Sequence, residues 1–138
     1  VYAVGDVARF TNDRHPDSVR LEHWTSAVDQ GILVAHNIVH PTEPHTYEPV
    51  EYVWSDQYDW KIQIVGRTGS GNWTTIGAPA DDRFAVVYGQ NGHPVQGAVI
   101  VNWPRALIDA RRSCASGTAT ETLVERLHTL LDTANAMP

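Results

Sequence analysis

Arg83-Phe84-Ala85-Val86-Val87-Tyr88-Gly89-Gln90-Asn91-Gly92-His93-Pro94-Val95-Gln96-Gly97-Ala98-Val99-Ile100-Val101 is the stretch on which the fold turns. Two runs rich in β-branched and aromatic residues, 83–88 and 95–101, flank Gly89-Gln90-Asn91-Gly92, and Asn91-Gly92 supplies the positive dihedrals that a tight hairpin needs. Antiparallel pairing of the two runs is therefore expected, and with it a sheet built from hairpins rather than from strand–helix–strand crossovers.

Upstream, Tyr52-Val53-Trp54 and Trp60-Lys61-Ile62-Gln63-Ile64-Val65 read as further strands, the second with the partial alternation of a sheet buried on one face. Downstream, Pro104 suits the first turn of a helix that continues through Ala106, Leu107, Ile108 and Ala110. Leu123, Val124, Leu127, Leu130 and Leu131 repeat at amphipathic spacing, and Gly117 is a stop signal between the two helices. Strands followed by helices predict an α+β domain, an antiparallel sheet covered by helices on one face.

The part before this is different. Trp24, Ala27, Val28, Gly31, Ile32, Ala35, Ile38 and Val39 fall on one helical face, widened by Leu33 and Val34, which predicts a well-buried helix. Pro41, Pro44 and Pro49 remove backbone donors and end it near His40, so a boundary is expected in that linker, with residues 1–45 separate from 46–138. The polar segment Arg9 to Arg20, with Asn12-Asp13 and His15-Pro16-Asp17, is expected to be a surface loop, and Val1-Tyr2-Ala3-Val4 a short strand closing on Gly5-Asp6.

A chain of 138 residues with 42% apolar content is long enough to build a core. Its net charge of −6 argues against a nucleic-acid partner, which demands a basic surplus to neutralise phosphates. The charge is uneven: residues 21–60 contain no Lys or Arg, whereas 61–112 carry Lys61, Arg67, Arg83, Arg105, Arg111 and Arg112. A locally basic face is expected there. Cys114 alone makes no intramolecular disulfide, and neither a signal peptide nor a membrane-spanning run is seen, which points to the cytoplasm.

Three segments have residues suited to chemistry. Gly5-Asp6 would deliver an acceptor carboxylate at the end of a strand, fit to bind sugar-type hydroxyls, although a Gly-Asp turn is common in proteins of many kinds. Glu22-His23-Trp24-Thr25-Ser26 opens the first helix, whose unpaired amides suit an electron-rich oxygen; Thr25 and Ser26 are equally suited to capping it. Trp54, ahead of Ser55-Asp56-Gln57-Tyr58-Asp59, could stack on a planar cofactor or serve as ordinary core.

In this order and spacing, the three together with Val101-Asn102-Trp103-Pro104-Arg105 resemble the C-terminal third of FAD-dependent NAD(P)H:ferredoxin reductases. That family includes rubredoxin and putidaredoxin reductases and the reductase components of bacterial dioxygenases. The resemblance implies that residues 1–45 are the tail of the FAD-binding domain and 46–138 the reductase C-terminal, or interface, domain. It implies a flavin contact by Gly5, Asp6 and Val7, with Asp6 on the ribityl chain. His23 and Trp24 would approach the pyrimidine edge of the ring, and Trp54 would lie beside it on the side where the carrier docks.

The implied reaction passes electrons from NAD(P)H through FAD to a ferredoxin-type iron–sulfur protein. Arg105, Arg111 and Arg112 are the candidate docking residues for such an acidic carrier. No G-x-G-x-x-G turn is present, and Gly66-Arg67-Thr68-Gly69-Ser70-Gly71 has the wrong spacing and precedes no helix. The chain by itself is accordingly not expected to be catalytic, and no catalytic residue is assigned. A second expectation is a stand-alone α+β module that pairs with itself, as a homodimer, or with a protein partner through its apolar helix face.

His36 and His40, four residues apart, lack a third ligand at matching spacing, so no metal is expected. Cys114, near a helix end, reads as an inert thiol. Asn72-Trp73-Thr74 matches a glycosylation acceptor but has no export signal to accompany it.

Overall fold

A computed structural model describes residues 1–13, 15–69 and 71–136 and divides the chain into two compact units, Val1–Val53 and Trp54–Pro138. Arg14 and Ser70, which fall in segments expected to be loops, lie outside the described residues.

In the first unit a short 3-10 turn, Gly5–Val7, precedes strands β1 (Phe10–Asn12) and β2 (His15–Val19), and these precede helix α1 (Trp24–Val39). Val1 to Val4 form no strand, contrary to expectation: no described strand pairs with them, and unpaired extended backbone is left to water. Gly5 instead turns the chain at φ +73°, a left-handed conformation that favours glycine.

The segment expected as a loop is a two-stranded antiparallel ribbon, Phe10 opposite Val19 and Asn12 opposite His15. What holds it is distant in sequence. Phe10 packs edge-on against Tyr47, ring centroids 4.8 Å apart, and Asn12 donates to the Tyr47 carbonyl at 2.7 Å.

Helix α1 stops where the prolines require, with His40 closing on the His36 carbonyl. The expectation that it is well buried is wrong. Ser26 and Gln30 are its buried residues, whereas Trp24, Val28, Ile32, Ile38 and Val39 are exposed. The first unit contains a two-stranded ribbon and one turn, too little apolar surface to cover a helix that is apolar on more than one face. Beyond the helix, Asn37 clamps the extended segment, donating to the His45 carbonyl at 3.0 Å and accepting its N–H at 2.8 Å.

The second unit contains the α+β fold. Strands β3 (Tyr52–Gln57), β4 (Trp60–Gly66), β5 (Trp73–Ala78), β6 (Arg83–Tyr88) and β7 (Gly97–Val101) form one sheet in the order β3-β4-β7-β6-β5. Helices α2 (Pro104–Ser116) and α3 (Thr120–Asn135) follow. The register places Gln63, Ile100, Ala85 and Ile76 in one cross-strand row and Val65, Ala98 and Val87 in the next, all on one face. That face is buried beneath Ala106, Ala110, Ser113 and Cys114 of α2 and Leu123 and Leu127 of α3. Cys114 is thus a core thiol. No described helix is long and apolar enough to cross a membrane.

Strands β6 and β7 pair antiparallel as the alternation requires, and Asn91-Gly92 makes a turn, closed by the His93 N–H on the Gln90 carbonyl at 3.0 Å with Gly92 at φ +79°, but that turn does not join the two strands directly. Residues 89–96 leave the sheet and Val95 is not in a strand, because this segment binds the helix junction instead. Thr120 donates to the His93 carbonyl through both N–H and Oγ1, Pro94 bridges Ala119, and the Val95 N–H reaches Thr118. Strand β5 was also unforeseen; in the glycine cluster ahead of it Gly66 ends β4, while 67–69 and Gly71 are loop.

At the β3–β4 turn Tyr58 adopts φ +54°, and Asn102, itself at φ +51°, braces it. The Asn102 amide accepts the Lys61 N–H at 2.8 Å and donates to the Asp59 carbonyl at 3.0 Å. Asn102→Ala removes both bonds and puts a residue less suited to left-handed backbone at the site, which should cost about 1–3 kcal/mol. Urea unfolding should show this loss, with Asn102→Gly recovering the backbone share. Equal midpoints for wild type and alanine would show that the clamp contributes nothing.

Candidate functional site

The turn that carries Asp6 packs on the N-terminal half of α1. Gly5 is buried, a Cβ there would lie 3.6 Å from that of Ala27, and the Gly5 N–H donates to Gln30 Oε1 at 2.8 Å. Asp6 and Val7 follow, both exposed. The Asp6 carboxylate makes no hydrogen bond or ion pair with a described residue.

The start of α1 is open too. His23, the N-cap, is extended, at φ −127° and ψ 142°, and its side chain makes no capping hydrogen bond. The Ala27 N–H takes the His23 carbonyl at 3.0 Å, while Thr25 turns its hydroxyl to the Tyr52 carbonyl rather than to an amide of the first turn. The amides ahead of Ala27 therefore carry the partial positive charge of an uncapped helix end. Trp24, the first helical residue, is 78% exposed.

Beneath this surface lies a relay that the linear sequence does not display. Gln30 Nε2 donates to Ser26 Oγ at 2.9 Å, and Ser26 Oγ meets the Tyr47 hydroxyl at 3.0 Å. Burial pushes the Tyr47 phenol up from its ordinary value, the charges of Asp29 and Glu51 add to the rise, and the bonds from Ser26 and Gln30 oppose it. The sequence held one hint: Ser26 and Gln30, four apart, are polar residues interrupting an apolar helix. A pocket of about 10 Å³ beside the relay, lined by His23, Thr25, Asp29 and Tyr52 among others, is about the size of one water molecule and too small for a cofactor ring.

The remaining candidates are placed as follows. Trp54 belongs to the second unit, on β3, and is 44% exposed. Arg105, Arg111 and Arg112 are all exposed on α2, where the seven-residue step from Arg105 to Arg112 keeps those two on one face. His36 stacks on His45, ring centroids 4.0 Å apart, with His40 at 4.7 Å. Among the described residues no group of three or more His, Cys, Asp or Glu is arranged to hold a metal.

An α+β unit of five antiparallel strands under two helices has the form of a reductase C-terminal domain. Comparison with known proteins specifies the family. Residues 52–128 match the model of the family described as reductase C-terminal. A ferredoxin–NAD(P)+ reductase of a Sphingomonas species is 39% identical over 98 residues, covering 69% of this chain and 23% of its own. The ferredoxin–NAD+ reductase component of the anthranilate 1,2-dioxygenase system of Burkholderia cepacia is 34% identical over 119 residues, 85% of this chain and 29% of the relative. Among solved structures, the covalent putidaredoxin reductase–putidaredoxin complex aligns at 27% identity and a TM-score of 0.71, over 96% of this chain and 33% of the other.

The chain belongs to the ferredoxin–NAD(P)+ reductase family and carries its C-terminal domain. It spans between about a quarter and a third of the length of these relatives.

Proposed function

We propose that the chain supplies one wall of a flavin site and the carrier-docking surface of an electron-transfer reductase, without being catalytic by itself. Residues 1–45 act as the end of the FAD-binding domain and 46–138 as the interface domain. The observation that carries this reading is the open Asp6 carboxylate on a glycine turn packed against α1, whose own start is uncapped. The donor set fits FAD: a carboxylate accepts ribityl hydroxyls, and an uncapped helix end favours an electron-rich carbonyl.

Gly5, Asp6 and Val7 would hold the chain of the cofactor, His23 and Trp24 its pyrimidine edge, and Trp54 would lie beside the ring. When bound, FAD converts a hydride, delivered as two electrons, into single-electron transfers. With no G-x-G-x-x-G turn in the chain, NAD(P)H binding falls to residues outside it. Exposed Arg105, Arg111 and Arg112 would steer an acidic ferredoxin-type carrier, in the cytoplasm.

Titration of the 138-residue chain with FAD, followed by flavin fluorescence, tests the reading. Binding is expected, and Asp6→Ala should weaken it roughly tenfold or more, the scale of a hydrogen bond to a charged acceptor. Equal affinity in the two proteins overturns the role of Asp6. Turnover of NAD(P)H by chain and FAD alone overturns the non-catalytic assignment.

One observation favours a second reading, a self-pairing α+β module: Trp24, Val28 and Ile32 form an exposed ridge at four-residue spacing along α1. Under that reading light scattering gives a dimer that Trp24→Asp dissociates, and a monomer at all concentrations removes it.

A further inference from the structure

We propose that Gln30 is the positioning residue of the flavin wall, holding through the Gly5 N–H the turn that presents Asp6, with Ser26 and Tyr47 locking its amide in place. The inference deepens the flavin reading above and rests on it.

A backbone N–H only donates, so the 2.8 Å contact with Gly5 requires the Gln30 oxygen on that side and leaves its NH₂ facing Ser26. The 2.9 Å bond to Ser26 Oγ and the 3.0 Å contact from there to the Tyr47 hydroxyl complete the chain. Tyr47 is anchored in turn by the Phe10 ring and by Asn12 on its carbonyl. Three segments far apart in sequence thus converge on one amide: the turn at Gly5, the helix, and the proline-rich segment after it.

Helix stability does not call for this arrangement. Ser26 and Gln30 are each only 5% exposed, and burying polar side chains is unfavourable unless all their bonds are made. An alanine or leucine would suit the helix better at either position. What the amide does that an apolar side chain does not is grip the backbone of Gly5. Asp6 is the next residue, so the place of its carboxylate against the start of α1 follows from that grip. Displacement of a recognition group by about 1 Å is enough to lose most of a site's function.

The test uses the full chain and three variants. Gln30→Met keeps size and helix propensity but cannot accept the Gly5 N–H. Gln30→Glu keeps the acceptor, and whether ionised or protonated it can still satisfy Ser26. Tyr47→Phe removes only the far end of the relay and covers the case in which Gln30→Met does not fold.

Amide hydrogen exchange by NMR should show Gly5 exchanging at least tenfold faster in Gln30→Met and several-fold faster in Tyr47→Phe, with the sheet amide of Ile100 unchanged. Gln30→Glu should restore protection. The Tyr47 phenol, followed by ultraviolet titration, should move further up in Gln30→Met, because one of the bonds that lowers it is gone. FAD affinity should fall tenfold or more in Gln30→Met and recover in Gln30→Glu.

Unchanged Gly5 exchange in both Gln30→Met and Tyr47→Phe overturns the proposal, as does undiminished FAD affinity in Gln30→Met with the turn released. If the wild-type chain binds no FAD, the flavin reading of this chain falls. Accelerated exchange at Gly5 then still supports Gln30 as the residue that positions the turn, and unchanged exchange rejects it.

Discussion

Replacing Gly97 with alanine is expected to destabilise the second unit by at least about 3 kcal/mol. Gly97 starts β7 opposite Gly66 on one side and Tyr88 on the other. A Cβ there would lie 2.5 Å from the Arg67 carbonyl oxygen, 2.6 Å from that of Val65 and 2.7 Å from the Arg67 nitrogen. All three are backbone atoms, so no rotamer change relieves the clash and the β4–β7 ladder must open. That ladder joins β3 and β4 to the rest of the sheet. With typical domain stabilities of about 5–15 kcal/mol, the loss is a large share of the total, and Tm should fall by about 12 °C or more. Gly69→Ala is the control, because a Cβ at Gly69 meets nothing within 4 Å. Thermal unfolding by circular dichroism that gives the two variants the same Tm would show that the sheet tolerates separation of β4 from β7.

The second large effect is expected at Ile100. It is fully buried on the central strand, flanked in its row by Gln63 and Ala85, with α2 packed above β7. Its cross-strand partner Ala85 is small and fully buried, so a truncated side chain leaves a space that Ala85 cannot fill. Ile100→Ala should therefore cost about 2–5 kcal/mol, and Ile100→Val about 0.5–1.5 kcal/mol. Ile108, on the same helix layer but 50% exposed, should tolerate alanine with a loss of about 0.5 kcal/mol or less. Chemical denaturation that ranks the three variants differently would mean that the buried face of the sheet is not where the stability resides.

Both effects arise in the half of the chain whose elements were easiest to read. Alternation in 83–88 and 60–65, proline at position 104 and glycine at 117 are signals carried by contiguous residues, and β4, β6, α2 and α3 lie where they point. Trp73-Thr74-Thr75-Ile76 carried no comparable signal, because those residues become a strand only by pairing with β6. The ribbon β1–β2 was unreadable for the same reason: its support comes from Tyr47. Periodicity and the prolines after it gave α1 the right bounds, but periodicity gave it the wrong burial, since a stripe of apolar residues says which face would be covered but not that a cover is at hand.

The candidate site divides in a similar way. Gly5-Asp6, His23-Trp24 and Trp54 were visible as residue types in a recognisable order. The Gln30–Ser26–Tyr47 relay was not, because its significance depends on a hydrogen bond to Gly5, which lies 25 residues before Gln30.

By itself, then, the sequence determined the class of fold, the order of most elements, the end of α1 and the family, because dihedral preferences, side-chain period and motif order are properties of neighbouring residues. Only the tertiary structure decided that residues 93–95 leave the β6–β7 connection for the α2–α3 junction, that Val1 to Val4 form no strand, and that α1 is exposed. It alone decided which amide holds the turn before Asp6. Hydrogen bonds and burial are satisfied by whatever the folded chain brings near, and distance along the sequence places no limit on which groups those are.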